Sequence, residues 1–578
     1  MASRSGSVHV AVSRREYKGE IYETTLLRRS YREGGKVKKE TVGNLSHLSA
    51  ELISIIRRSL AGETFAPTTG ALEVLRSRAH GNVRMVLDVI HDLGLDRMLG
   101  ARATRERQLA LALIVGRLLF PSSKLASLRT WSDSTLLEEL GVEGPVTVQE
   151  LYSALDWLYG RQPAIQAALV AKHMQAGALV LYDVSGSYFT GSHCTLAKRG
   201  YSRDHRGDLP QIVYGVVTDL DGRPVAVEVF DGNTRDCKTV MGQVELLRKR
   251  YKLRRMVVVG DRGMITDVQV ELLAKYPDID WITAMTNPQV KGLVASGNLQ
   301  LGLFDERNLI EVASPEFPGQ RLVACRNIAL ARLRTHTREA LLVRTEARLA
   351  RIATSVSTGK LRGADNIGER VGRAWKNDKM RKHFSVQITD DSFSFARAEA
   401  NIATEAALDG IYVIRTSIEK TPEWTPENVV RTYKRLSQVE RVFRCMKTTQ
   451  LLVRPIFHRD ADRVRGHVFL CMLSAHVALE LERRLAPLLF VDEGLAASWS
   501  SRDPVEPPKP SPEGKRKKRE QVTEDGESTL HSLRTLLDGM GSQARVTLRF
   551  GDGQTFDQVA TPTPWQAKVH AYAIGEPV

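Results

Sequence analysis

Between residues 178 and 285 the apolar pattern of this chain changes from a helical period to a succession of short strands, and that change restricts its fold more than any other feature. Residues 178–182 (ALVLY) form an apolar run that ends in Asp183. Residues 212–218 and 225–230 read as two further strands, joined by Asp219-Leu220-Asp221-Gly222, a hairpin turn sequence. Residues 239–251 read as a helix and 255–259 as a fourth strand, which closes on Gly260-Asp261-Arg262-Gly263. A second helix runs to Lys275, and a fifth strand lies around 282–285. The order is β-β-β-α-β-α-β, a three-stranded meander followed by alternation, and it predicts an α/β core.

The flanks divide the rest of the chain. Residues 1–65 read as a β-hairpin and helix module: Val8, Val10 and Val12 alternate with His9, Ala11 and Ser13, Glu33-Gly34-Gly35 marks a turn, and 47–62 carry a helical pattern. Residues 66–175 are helical in period throughout and rich in arginine. Residues 290–420 hold strand-like pieces at 321–325, 383–389, 393–397 and 410–415 around a charged helical stretch at 337–352, and read as a β-rich insertion with its own sheet. Helical periodicity returns at 426–449 and 461–484, which assigns 176–289 plus 421–490 to the core. Residues 491–578 read as a basic linker, disordered around Lys515 to Arg519, followed by a short terminal module.

Charge and cysteine usage narrow the function. Lys and Arg number 83 against 67 Asp and Glu, a formal net charge of +16, which favours a polyanionic partner. Five cysteines (Cys194, Cys237, Cys325, Cys445, Cys471), odd in number and never spaced C-x-x-C, exclude a disulfide framework and the usual zinc knuckles. The N-terminus lacks the apolar region of a secretory signal. No run reaches the roughly 18 apolar residues of a membrane helix; the nearest, 468–481, is interrupted by Ser474, His476 and Glu480. The expectation is a cytoplasmic protein that meets nucleic acid and no membrane.

Three acids stand at positions from which they could converge. Asp183 ends the first strand, Asp261 follows the fourth, and Glu440 lies on a helix beyond the insertion. Three carboxylates at one point must hold a cation or repel, and hard oxygen ligands suit Mg²⁺ or Mn²⁺. Taken singly, Asp183 reads equally as a turn former before Ser185 and Gly186, Asp261 as a cap and Glu440 as a solvated charge. Tyr433, Leu436, Glu440, Arg444 and Lys447 are spaced to share one stripe of a helix, which reads either as a salt-bridged face or as an acid for metal among groups for phosphate. Arg435, Arg441, Arg454, Arg459, Arg463 and Arg465 extend the basic surroundings.

The segments LYDVSGSYF (181–189), GYSRDHRGDLPQIVYGVVTD (200–219), FDGNTRDCKTV (230–240), VVVGDRGM (257–264) and YKRLSQVERVFRCMKTTQLLVRPIFHRDADRVRGHVFLCMLS (433–474) resemble transposases of the IS4 superfamily, in its IS1634-type branch. The resemblance implies a DDE transposase with an RNase H-like catalytic core, interrupted by a β-rich insertion and preceded by a mainly α-helical region that binds DNA ends and dimerises. It makes Asp183, Asp261 and Glu440 the catalytic acids and the ligands of two Mg²⁺ ions, with Mn²⁺ able to substitute. The family signature Y-(2)-R-(3)-E-(6)-K falls on Tyr433, Leu436, Glu440 and Lys447, so leucine stands where the family has arginine. Tyr433, Arg435, Arg444, Lys447, Arg454 and Arg262 become the DNA contacts, with Arg435 or Arg444 in place of the missing arginine. His205 is either a near-site residue or a structural hydrogen-bonding one. The implied reaction frees a 3′-OH at a transposon end by hydrolysis and joins it to target DNA. The implied partners are double-stranded DNA (inverted-repeat ends and target) and a second copy of the chain, working in a bacterial cytoplasm at the nucleoid. A stand-alone RNase H-like nuclease, a domesticated or inactive DNA-binding derivative and a metal-dependent phosphatase are the alternatives.

Overall fold

The computed structural model describes residues 6–63, 65, 72–175, 177–376, 379–550 and 553–576. The chain forms two compact units, one of residues 1–77 with 545–560 and the other of residues 78–544 with 561–578. Residues 66 and 176, where boundaries were expected, lie outside the described residues.

The first unit opens with an antiparallel meander of β1 (Ser7–Tyr17), β2 (Glu20–Glu33) and β3 (Lys36–Asn44). Its two connections are two residues long, Lys18-Gly19 and Gly34-Gly35, and all four residues have positive φ. That is the type I′ geometry whose twist matches the flanking strands. Helix α1 (Ala50–Leu60) follows, started by Ser49, whose hydroxyl accepts the Leu52 N–H at 3.3 Å. Strand β4 (Leu72–Ala79) then joins two C-terminal strands, Ala544–Phe550 and Thr555–Val559, in a three-stranded sheet.

The second unit begins with the expected helices: α2 (Gly81–Asp92), α3 (Leu95–Leu99), α4 (Arg105–Leu119), α5 (Lys124–Trp131), α6 (Leu136–Glu139), α7 (Val148–Gly160) and α8 (Gln162–His173). Hydroxyl caps at Thr104, Ser123 and Thr147 start α4, α5 and α7, and Glu150 completes a capping box on α7. The core sheet then forms from β5 (Ala178–Tyr188), β6 (Gln211–Thr218), β7 (Pro224–Asp231), β8 (Met256–Val259) and β9 (Ile279–Ala284), with α9 (Cys237–Glu245) and α10 (Asp267–Leu273) between them. The order across the sheet is β7-β6-β5-β8-β9; the first three strands are antiparallel and β5, β8 and β9 are parallel.

The insertion departs from expectation. After α11 (Asn287–Ala295), strands β10 (Leu309–Val312) and β11 (Arg321–Arg326) extend the core sheet instead of forming one of their own. They do so through β14 (Ile411–Thr416), which pairs antiparallel with β9, giving eight strands in all. The physical reason is that β9 would otherwise leave a row of backbone groups unpaired. Only β12 (Phe384–Ile388) and β13 (Phe393–Arg397) make a separate hairpin. It packs with the 30-residue helix α12 (Ile328–Ser357) and with α13 (Ala364–Lys376) over a small core that includes Leu349, Ile352, Ile367 and Phe384. A short helix, α14 (Glu399–Ala406), leads back to β14.

Helices α15 (Pro426–Lys434), α16 (Leu436–Arg444) and α17 (Ala461–Arg484) complete the core. Helix α17 packs against α4, α7, α2 and β7. It is long and apolar enough to cross a membrane, but 89% of its apolar window is buried inside the protein, as an all-round apolar helix requires. Its polar interruptions are satisfied there: Ser474 donates to Ile114 O, His476 Nδ1 lies 3.0 Å from Pro224 O, and Glu480 accepts from Arg483 and Arg484.

The C-terminal stretch also differs from expectation. The basic run at 515–519 lies on helix α19 (Pro512–Glu520), which follows α18 (Glu493–Ala497). Lys517 is buried and sits 2.9 Å from both Glu493 and Glu513, so ion pairs with acids that precede the run hold what composition alone reads as disordered. Helices α20 (Leu533–Gly541) and α21 (Pro564–Ile574) pack on α2 and bury Leu536, Leu537, Met540 and Val569. Leu537→Ala should therefore cost about 2–5 kcal/mol in a denaturant titration, the range for a buried leucine, whereas a loosely attached tail would leave the midpoint unchanged.

Candidate active site

The register of β5 and β8 sets the geometry. Their parallel pairing runs from Ala178–Met256 to Leu181–Val259 and stops. Asp183 and Asp261 each lie two residues beyond that last pair, on adjoining strands whose spacing is about 4.8 Å. Strand β5 continues past Asp183 to Tyr188, paired now with β6 alone. Asp183 is thus in the middle of its strand and not at its end, as the apolar run had suggested; the end that matters is that of β8.

Each acid uses one oxygen on its own backbone. Asp183 Oδ1 accepts the Val184 N–H at 2.7 Å, and Asp261 Oδ1 accepts the N–H groups of Gly263 and Met264, both at 2.9 Å. Asp261 therefore closes the turn after β8, while α10 starts separately at Thr266. Glu440 is exposed on α16, which packs across β5 and β6.

The electrostatics tie the three acids together. Burial pushes the Asp183 carboxyl up to about 7, opposed by the Val184 N–H and by Arg203, and reinforced by the charges of Asp261 and Glu440. Burial also raises Asp261, against its two backbone N–H bonds, with Asp236 adding to the rise. Burial and then the charge of Asp261 push the Tyr433 phenol up to about 12, with Asp183 and Glu440 contributing, so it stays a hydrogen-bond donor beside the acids. An all-oxygen set that raises its own proton affinity fits a hard divalent cation. Among the described residues no three His, Cys, Asp or Glu side chains stand close enough to hold a single ion.

The expected stripe from Tyr433 to Lys447 is not one continuous α-helix. It breaks at Arg435 between α15 and α16, and a π-turn at Cys445–Thr449 carries Lys447. Leu436 is half-buried against the core. Three of the cations expected on DNA are engaged within the protein. Lys447 donates to Gly186 O on β5 and lies 3.4 Å from Asp204; Arg454 pairs with Asp204 at 2.6 Å over the Tyr188 ring. Arg435 donates to Leu220 O and faces the Trp499 ring. Arg444 and Arg262 are exposed, the latter donating to Asn287 Oδ1 at 3.3 Å. His205 is exposed in a left-handed turn, φ 57°.

Sequence reasoning missed Asp204, Arg203 and Asp236, although all three lie in the segments that carry the resemblance. Asp204, next to His205, is the common anchor of Lys447 and Arg454, and Arg203 pairs with Asp236 at the site. Both sets of partners come from distant segments, a link that no local pattern records.

On topology, a β7-β6-β5-β8-β9 sheet with an antiparallel meander and two parallel additions is the RNase H-like arrangement, a fold of enzymes that cut and join nucleic-acid phosphodiesters. Residues 179–476 match the Transposase DDE domain family, and residues 10–68 match the IS1634 family transposase N-terminal domain. The chain belongs to the DDE transposases, of the IS1634 type. It is accordingly a metal-dependent enzyme that acts on DNA. No curated protein sequence matches it. Among solved structures, a piggyBac transposase synaptic complex with hairpin DNA aligns with 7% identity and a TM-score of 0.33, covering 79% of this chain and 76% of that one; so distant a similarity carries no argument here.

Two outcomes follow from this geometry. Asp204→Asn should cost about 3 kcal/mol, because two largely buried cations lose the counter-charge they share, and a denaturant titration reads it directly. For Asp183 the folded carboxyl titrates at about 7 and the ordinary value is 3.8. The folded state thus holds this proton more tightly, and the stability it contributes is complete below about pH 4 and lost as pH rises through 7. Metal-free Asp183→Asn should melt above the wild type at pH 8, with the gap closing by pH 4; a gap independent of pH would contradict the shift.

Proposed function

We propose that this transposase cuts the ends of an insertion sequence and joins the freed 3′-OH to target DNA, with Asp183, Asp261 and Glu440 as its catalytic acids. The reading rests on the register of β5 and β8, which sets Asp183 and Asp261 level on adjoining strands; burial and the charges of Asp261 and Glu440 raise the Asp183 carboxyl there, and a cation would return it to its charged form. These three acids would hold two Mg²⁺ ions, which would supply Lewis-acid stabilisation to a phosphodiester under attack.

The chain's own residues position that phosphodiester. Tyr433, kept protonated, donates a hydrogen bond toward a phosphate oxygen beside the acids. Arg444 and Arg262, both exposed, bring positive charge to the DNA backbone, and Arg444 stands in for the arginine that Leu436 replaces. Lys447 and Arg454 act through Asp204: they fasten the loop that carries Arg203 and His205 against β5, three residues along the strand from Asp183. No side chain forms a bond to DNA in this scheme. Joining two ends in one complex calls for two copies of the chain.

In a gel assay on duplexes carrying the DNA that borders the gene, Asp183→Ala should bind ends as the wild type does. Its cleavage in Mg²⁺ should fall by more than the roughly 100-fold that loss of a mere outer partner of a metal site costs. Retained cleavage in that variant would remove Asp183 from the chemistry.

A further inference from the structure

A second site lies beside the loop that precedes α17. The end of α4, the start of α5, Tyr152 of α7 and residues 452–460 enclose a cavity of about 480 Å³. Lys124 and Arg117 line it and are 4% and 8% exposed. Neither has a carboxylate partner among the described residues. Lys124 Nζ has His458 Nε2 at 3.4 Å; Arg117 donates to the carbonyls of Ser122 and Leu451, and its Nε is buried with no partner. The one carboxylate in the described lining is Asp460, whose Oδ1 accepts the N–H groups of Asp462 and Arg463 at the start of α17. Arg463 is held by Asp156, which lies outside the lining.

Two buried cations without counter-charge are costly, and apolar side chains of similar size would make a more stable core. Burial and the neighbouring Arg117 push the Lys124 ammonium down to about 7, which expresses that cost. The same forces, with Lys124 and Arg463 nearby, push His458 down to about 3, so it faces the cavity neutral. The lining adds Arg459 and Arg454, and aromatic surface from Tyr152, edge-on to His458, and from Phe457, which is 61% exposed. Arg454 also links the cavity to the active site. It pairs with Asp204, which pairs with Lys447, which holds Gly186 on β5, three residues or about 10 Å along the strand from Asp183.

We propose that this cavity binds one phosphate group of the DNA strand that passes the active site, held by Lys124 and Arg117, with the attached sugar and base against Tyr152 and Phe457. The proposal rests on the DNA-cutting function and adds a second grip on the strand, separate from the metal-binding acids. It also accounts for two cations buried with no carboxylate partner among the described residues.

The test is salt-dependent binding of an end duplex to the full-length wild type and to Lys124→Met, with melting of each free protein as the control for folding. Lys124→Met should melt as high as the wild type or higher, bind about tenfold more weakly, and lower the slope of log K against log salt by about 1. In a second arm, millimolar orthophosphate should raise the wild-type melting temperature and leave that of Lys124→Met unmoved; this arm also reports on a free phosphate as the natural occupant. Were Lys124→Met unable to fold, single methylphosphonate substitutions along the duplex would decide on the wild type alone, one position beyond the cut site costing about tenfold. Equal affinity and equal slope for the two proteins, or no sensitive position in the scan, overturns the phosphate site and leaves the transposase assignment intact. A wild type that binds no duplex overturns both.

Discussion

Beyond the pair Leu181–Val259, β5 runs on against β6 while β8 stops, and the proposed active site lies in the notch that this divergence leaves. The parallel pairing of two four-residue stretches brings Asp183 and Asp261 level, although 77 residues separate them in the chain. Helix α16 then crosses β5 and β6 and adds the charge of Glu440 to theirs. The eight-stranded sheet, the helices behind it and the anchoring of Lys447 to Gly186 all hold that notch in place. A register slip of one residue would turn Asp183 to the opposite face of the sheet.

The same notch carries the cost of function. Asp183 is held where burial and the charges of Asp261 and Glu440 oppose ionisation, and Asp261 where burial and Asp236 do so; backbone N–H groups, Arg203 and Arg262 offset this. Lys124 and Arg117 repeat the pattern with the opposite sign. Both places are less stable than an apolar core would be, and on the proposed reading both become favourable when a ligand of opposite charge arrives, a cation in the first and a phosphate in the second. Around them the charges are paired in the ordinary way: Asp204 with Lys447 and Arg454, Arg463 with Asp156, and Arg441 with Glu482. Part of the net charge of +16 therefore resides in cations already engaged within the fold, and Arg444, Arg262 and Arg459 are among those left exposed.

Much of this was legible in the sequence because local patterns encode it. The strand order of the core followed from apolar runs and turn residues, and the extent of the family resemblance agrees with the match over 179–476. The second hairpin turn of the first unit, at Gly34-Gly35, and the helical region before the core rest on equally local signals, a glycine pair and a helical apolar period. What stayed hidden depends on distant partners. Strands β10, β11 and β14 look like a sheet of their own until the open edge of β9 is taken into account. The run at 515–519 looks disordered until Glu493 and Glu513 are placed beside Lys517. Lys447 looks like a free phosphate ligand until Asp204 is brought to it from the other side of the insertion.

The central claim is that Asp183, Asp261 and Glu440 meet at divalent cations. Iron(II) with ascorbate and peroxide, which cuts a polypeptide where the metal is bound, measures this most directly on the intact protein. The account predicts three clusters of backbone cuts, around residues 183, 261 and 440, all suppressed together by excess Mg²⁺. Cuts confined to one of the three places, or cuts elsewhere that Mg²⁺ leaves unchanged, would contradict it.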